Sequence, residues 1–320
     1  MTSERMAVAP ARRRVYGQLA LTLAVLTAVG WLARRNWPVL ETGALRLAVA
    51  DQGWLLVAAT AAAATWVCSA LAQQGAVLRA LPSRRLVAAQ FAASAAGQLL
   101  PAGLGTGVVN LRFLMRCGLS AGRAATALAV KATVGGLVRA ALIAVLATAC
   151  PGVLGLPRPS AVWWVALAVA VLAVTVLAVA ALLGTVLWPR CRRALVLVRD
   201  DIRALHTRPH RAVALWGGSL GFALLHALVL IAVTRAVALP LAPPLVALLY
   251  LAASCAAALL PTPAGLGSLD AALAFALTAA GGAPAAAAAS VVLGYRLLTV
   301  WLPLLPGLLV LALLVRRKAL

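Results

Sequence analysis

Apolar residues run along this chain in long unbroken blocks, and polar residues gather in the short gaps between them. Six blocks have about the length, roughly 20 residues at 1.5 Å each, that a helix needs to cross some 30 Å of hydrocarbon. They are Tyr16 to Ala33, Trp54 to Leu78, Ala121 to Ala149, Trp163 to Leu187, Ala212 to Leu239 and Pro284 to Leu314. Because the blocks are continuous rather than alternating, they predict helices and not barrel strands. The fold class expected is an all-α polytopic membrane protein.

Two further apolar regions, Leu86 to Cys117 and Leu245 to Ala280, are interrupted near their middles by related elements, LLPAGLG (Leu99 to Gly105) and LLPTPAGLG (Leu259 to Gly267). Proline removes a backbone hydrogen bond and clashes with the preceding turn, and glycine loosens the backbone beside it. Helix breaks are therefore expected at Pro101, Gly103 and Gly105, and again at Pro261, Pro263, Gly265 and Gly267. The arms Leu86 to Leu100 and Thr106 to Cys117 would be roughly 22 and 18 Å long, too short to span singly. Two re-entrant broken-helix hairpins are predicted.

Charge supports that reading over one kinked span per region. With hairpins, 20 of the 28 basic residues fall on the cytoplasmic side, including the N-terminus, the basic loop 188–211 and the C-terminal Arg316, Arg317 and Lys318, while five fall outside. A single crossing per region would turn the seven arginines between Arg190 and Arg211 outward, against the positive-inside rule. Both termini are thus expected in the cytoplasm, in a multi-pass plasma-membrane protein. Trp31, Trp37, Trp54, Trp163 and Trp164 lie near predicted outer ends, and Trp188 and Trp216 near inner ends, as interfacial tryptophans do.

Composition agrees. Hydrophobic residues make up 64% of the 320, charged residues 11%, and mean hydropathy is +1.04, which a water-soluble surface could not accommodate. The net charge of +22 is spread between apolar blocks instead of forming a basic domain, which argues against nucleic acid. Arginine outnumbers lysine 26 to 2, the mark of a GC-rich bacterial genome. The five cysteines form no CxxC pair, and His206 and His210 have helical spacing but no glutamate beside them, so neither a disulfide framework nor a metal site is expected. Arg12, Arg13 and Arg14 precede a block too long for a signal-peptide core, which reads as an uncleaved first span.

Span, span, hairpin, span recurs in the second half with each direction reversed. The chain is read as one integral membrane domain, 1–320, made of a first half, 1–150, and an inverted second half, 160–314. Inverted repeats with broken helices near the midplane are the architecture of many secondary transporters. Thr106 and Ser268 follow the breaks and are suited to cap the arms that begin there. An arm starting within the bilayer aims its positive dipole end at that depth, where it attracts anions.

Charges at membrane depth are costly and mark functional candidates. Lys131 and Arg296 lie near the middles of the spans after the two hairpins, as approximate repeat mates. Arg139 is placed nearer the outer surface, where it can snorkel. Asp270, in the first turn after the second break, is the one acid the layout buries; it either contributes to a site, completes a helix start, or pairs structurally with Arg296 or Lys131. Arg112 and Arg116 read mainly as inner-surface anchors, with Arg112 kept as a binding candidate. Gln98 and Asn110 flank the first break and can satisfy its loose backbone.

The block LLPTPAGLGSLDAALAFALTAAGGAPAAAAASVVLGYRLLTVWLPLLPG, Leu259 to Gly307, resembles the transmembrane region of lysylphosphatidylglycerol synthases, a flippase-like family also found as stand-alone membrane proteins. The shared features are the proline, the glycine-rich turn, the acidic residue, and the later tyrosine-arginine and proline pattern. LLPAGLGTGVVNLRFLMRCGLSAGRAATALAV, Leu99 to Val130, adds weaker support. Asp270 stands where the family often has glutamate, and Gly103 and Thr106 stand in the arginine and glutamate places of its P-x-R-x-G-E pattern. The chain ends at Leu320, soon after its last span, so the soluble aminoacyl-transferase domain of full-length synthases is not expected.

The resemblance implies a lipid transporter that binds an anionic phospholipid head group between two inverted repeats, with Lys131, Arg296 and the half-helix N-termini on phosphate. Ser268, Thr106 and Asn110 complete the candidate site, and no cofactor is implied. The alternatives are a membrane-embedded lipid-modifying enzyme and a non-transporting partner of a separate synthase or glycosyltransferase. Enzymatic chemistry is disfavoured because paired carboxylates, HExxH, GxSxG and phosphate-loop motifs are missing.

Overall fold

A computed structural model describes residues 34, 37–99, 104–149, 203, 207–259 and 268–316. Among them every regular element is helical: α1 (Trp37–Ala48), α2 (Gln52–Gly75), α3 (Ser83–Leu99), α4 (Leu104–Arg116), α5 (Ala121–Ala149), α6 (Pro209–Ala236), α7 (Pro243–Leu259), α8 (Ser268–Phe275), α9 (Ala285–Arg296) and α10 (Leu302–Arg316). A π-helical turn, Ala276–Ala280, extends α8, and another, Leu297–Trp301, joins α9 to α10. Pro303 has no N–H to give the turn before it, which accounts for the wider turn just ahead of it.

Four described helices are long and apolar enough to cross a membrane: Gln52–Gly75, Ala121–Ala149, Pro209–Ala236 and the joined Ala285–Arg316. These match four of the six predicted spans. The other two, Tyr16 to Ala33 and Trp163 to Leu187, lie outside the described residues, as do nearly all of the basic loop 188–211 and the break residues Pro101, Gly103, Pro261, Pro263, Gly265 and Gly267.

Helices α2 and α6 run antiparallel in close contact over their whole lengths. Asp51 N donates to Ala236 O (3.0 Å) at one end, and Arg211 Nη1 donates to Gln74 O (2.9 Å) at the other. Between them the backbones nearly touch: a Cβ on Gly218 would lie 2.5 Å from Ala72 N, and one on Gly221 2.8 Å from Cys68 Sγ. A seam of small residues, including Ala58, Ala61, Ala62 and Thr65, makes this approach possible. In lipid, where apolar burial gives little drive, such close backbone contact is what holds helices together. The outward faces carry Leu56, Val67, Leu71, Leu220 and Leu224, all exposed, as suits a lipid-facing surface.

The interrupted regions each give two short helices, of 17 and 13 residues in α3 and α4, and of 17 residues in α7 against 8 plus a five-residue π turn in α8. At 1.5 Å per residue these are about 25 and 20 Å long, below the hydrocarbon thickness. α3 and α4 lie antiparallel: Thr106 Oγ1 donates to Ala93 O (3.0 Å) and Gln90 Nε2 to Asn110 Oδ1 (2.6 Å). Gly105 sits so close to the carbonyl of Ala96 that any side chain there would collide with it. The halves also interlock, since α10 packs on α3 and α5 packs on α7.

One element was not expected. α1 occupies the predicted outer loop, and its Leu47 packs over Gly294 of α9, where an added Cβ would meet Leu47 Cδ1 at 3.0 Å. A twelve-residue helix with Glu41 and Arg46 in it falls below the length and apolarity that mark a span.

Candidate functional site

The cations at membrane depth occupy two different environments. In the first, Lys131 Nζ donates to Ser69 Oγ (2.9 Å) and to Gln90 Oε1 (3.0 Å), and Ser69 Oγ itself donates to Gln90 Oε1 (2.8 Å). Gln90 passes the network to Asn110, whose Nδ2 donates to Thr106 O (2.9 Å). All of Lys131's partners are neutral, so its charge is solvated by dipoles and not cancelled by a carboxylate among the described residues.

This network forms one wall of a cavity of about 360 Å³ between α2, α4 and α5 of the first half and α6 of the second. Arg139, about 12 Å further along α5 by helical rise, lines the same cavity. Its Nη1 folds back to Gly135 O (3.3 Å), and its guanidinium lies 5.9 Å from the centroid of the Phe222 ring. Its buried Nε has no hydrogen-bond partner among the described residues. Gln73, fully buried and lining the same cavity, has neither its amide oxygen nor its nitrogen bonded. Unmet polar groups of this kind cost about 1–3 kcal/mol each and mark a place where a polar ligand or water belongs.

A second cavity, about 240 Å³, adjoins the first through shared walls at Ser69, Thr106 and Phe222. Among the described residues it has no charged side chain, and it is lined by aromatic groups, Trp66, Phe222 and His226, interspersed with hydroxyls and amides. His226 belongs to an aromatic cluster. Its ring stacks on Tyr250 at 5.9 Å with an interplanar angle of 12°, and its Nδ1 shares a 2.9 Å hydrogen bond with the Tyr295 hydroxyl.

In the other environment, Arg296 forms an ion pair with Asp270 through Nε and Oδ1. The Arg296 side chain is 9% exposed and that of Asp270 28%, and neither residue lines either cavity. The tyrosine-arginine step of α9 thus divides its contacts: Tyr295 reaches α6 and Arg296 reaches α8. Of the alternatives for Asp270, the pair with Arg296 is the one observed. The expected convergence of Lys131 and Arg296 does not occur: Arg296 is paired with Asp270, and the second cation lining the cavity of Lys131 is Arg139.

The remaining predicted residues divide as follows. Thr106 and Asn110 line the first cavity. Thr106 does not take the cap position expected of it: α4 starts two residues earlier, at Leu104, so its hydroxyl lies within the first turn and ties α4 to α3. Ser268 begins α8, two residues before Asp270. Arg112 and Arg116 are exposed near the end of α4, where they suit the interfacial anchoring read for them. Sequence reasoning missed Ser69, Gln73, Gln90 and Phe222. The signal for three of them was a polar side chain inside an apolar block.

The family model for the lysylphosphatidylglycerol synthase TM region matches residues 18–307. No curated protein matches the chain.

Proposed function

The chain belongs to the lysylphosphatidylglycerol synthase transmembrane-region family, and from that premise we propose that it is a flippase-like transporter holding an anionic phospholipid head group between its halves. The observation that carries this reading is the cavity shared by Lys131 and Arg139, two uncancelled cations facing one space walled by both halves of the chain. Charge at membrane depth is retained where it does work on a substrate or ion. A phosphate brings the anion that both cations want, and its oxygens accept from the unbonded Arg139 Nε and Gln73 Nε2.

Transport needs a site reachable from both leaflets, and an inverted repeat supplies one. Three features support that architecture. The proposed mates α2 and α6 run antiparallel, the paired short arms have equal lengths in the two halves, and each half rests its long helix on the other's short arm. In this reading each short-arm pair is a re-entrant hairpin, the first entered from the cytoplasm and the second from outside. Both termini are cytoplasmic and the membrane is the plasma membrane. The Asp270–Arg296 pair anchors the second hairpin to the span that follows it, so that the hairpin and α9 move as one body. Among the described residues neither cavity presents the paired acids or nucleophile–base pair of a hydrolase or transferase, and the reading is transport without covalent chemistry.

The test is translocation of fluorescent anionic phospholipid in vesicles reconstituted with the full chain. Wild-type protein should raise the rate above protein-free vesicles, and a Lys131→Ala/Arg139→Ala variant of equal abundance should return it to background. Unchanged transport by that variant would refute the site.

A further inference from the structure

The two adjoining cavities differ in chemistry, and the difference bears on which head group fits. The first presents Lys131 and Arg139, with unbonded donors at Arg139 Nε and Gln73 Nε2. It asks for an anion rich in acceptors. Among the described residues the second presents no charge, two aromatic rings and an imidazole, several hydroxyls, and the buried, unbonded acceptor Gln98 Oε1. Aromatic faces beside hydroxyl and amide groups suit a neutral group that is apolar along its C–H faces and polar at its rim.

Among the described residues, no carboxylate lines either cavity. Asp270, the acid at membrane depth, is bound to Arg296 and stands outside both. An ammonium on the head would enter the aromatic cavity with no carboxylate among its described lining residues to pair with, next to a cavity that already holds Lys131 and Arg139, in a medium where unpaired charge is costly. We infer that the ligand is a phosphodiester lipid with an uncharged, hydroxyl-bearing head such as a glycerol or sugar, its phosphate between Lys131 and Arg139 and its head in the aromatic cavity, and that aminoacylated cationic lipids are excluded.

This rests on the head-group reading above and narrows it. Phosphate and polyol sit in neighbouring cavities that share the side chains of Ser69, Thr106 and Phe222 as a common wall, and a diester linkage joining them must pass beside those side chains. A hydroxyl on the head donates to Gln98 Oε1, satisfying a group the protein leaves without a partner.

The experiment is a binding titration of the detergent-solubilised full chain with three probes: short-chain phosphatidylglycerol, its lysyl ester, and soluble sn-glycero-3-phosphoglycerol. Phosphatidylglycerol should bind at least about tenfold more tightly than the lysyl ester, the scale of one charged hydrogen bond gained or lost. Gln98→Leu should weaken phosphatidylglycerol several-fold with the melting temperature unchanged. Gln98→Glu, which sets a carboxylate in the aromatic cavity where the head lies, should reverse the order of the two lipids. Equal or tighter binding of the lysyl ester by wild type would overturn the inference and leave the anionic head-group site standing. Equal binding of the soluble diester would overturn the assignment to a lipid. Binding of none of the three would overturn the head-group reading itself.

Discussion

Replacing Lys131 with methionine separates what that residue does for the fold from what it does for a ligand. The side chain keeps its length and loses its charge together with two hydrogen bonds, 2.9 Å to Ser69 Oγ and 3.0 Å to Gln90 Oε1. The loss is cushioned, because Ser69 still donates to Gln90 Oε1 at 2.8 Å and leaves no orphaned acceptor there. Two bonds to a charged group are worth about 1.5–3 kcal/mol each, but holding an ammonium in the interior costs several kcal/mol in desolvation. These nearly cancel, so stability should change by no more than about 2 kcal/mol in either direction. A bound phosphate has no such cushion. Losing one charge-assisted bond of about 1.5–3 kcal/mol weakens binding roughly ten- to a hundredfold. The assay pairs thermal unfolding in detergent with titration by phosphatidylglycerol, and Lys131→Arg, which keeps the charge, should retain most of the affinity. Wild-type affinity in a folded Lys131→Met protein would refute the reasoning.

Three other outcomes follow from the same geometry. Asp270→Asn leaves Arg296 buried without its anion and should cost about 3–5 kcal/mol, whereas Asp270→Leu combined with Arg296→Met should recover most of that loss in thermal unfolding. Gly218→Ala forces a methyl to within 2.5 Å of the Ala72 backbone and should destabilise by about 1–3 kcal/mol, while the adjacent Gly217→Ala, with nothing within 4 Å, should be neutral or stabilising; equal effects would contradict the α2–α6 packing. Single cysteines near Gly105 and Gly267 should react with impermeant reagents from the cytoplasmic and outer sides respectively, and access to both from one side would refute the inverted hairpins.

The long helices were legible because length and apolarity are properties of the sequence itself: Ala121 to Ala149 was read with the bounds that α5 has. The starts of α2 and α6 lie two and three residues earlier than read, since local stereochemistry sets them and not hydropathy. The Asp51 carboxylate accepts from Trp54 N (2.9 Å), and Pro209 takes the first turn of α6. α1 was hidden because it is placed by packing on α9, a contact that hydropathy does not reveal.

The candidate site was half legible. Lys131 stood out as a charge within an apolar block, but its partner did not. Arg139 was placed nearer the outer surface, and nothing in the sequence shows that it lines the cavity of Lys131 with its guanidinium over Phe222. The pairing of Asp270 with Arg296 was one of several alternatives that spacing allowed. That Gln73 is left unbonded depends on what surrounds it in three dimensions, and the sequence carries no sign of it.

A density map of the protein in nanodiscs of phosphatidylglycerol tests the central claim most directly. The account predicts a phosphate peak in the α2–α4–α5–α6 cavity, within hydrogen-bond reach, about 3 Å, of both Lys131 Nζ and the Arg139 guanidinium. A cavity filled by acyl chain, with ordered head groups only at the outer rims of the protein, would contradict it.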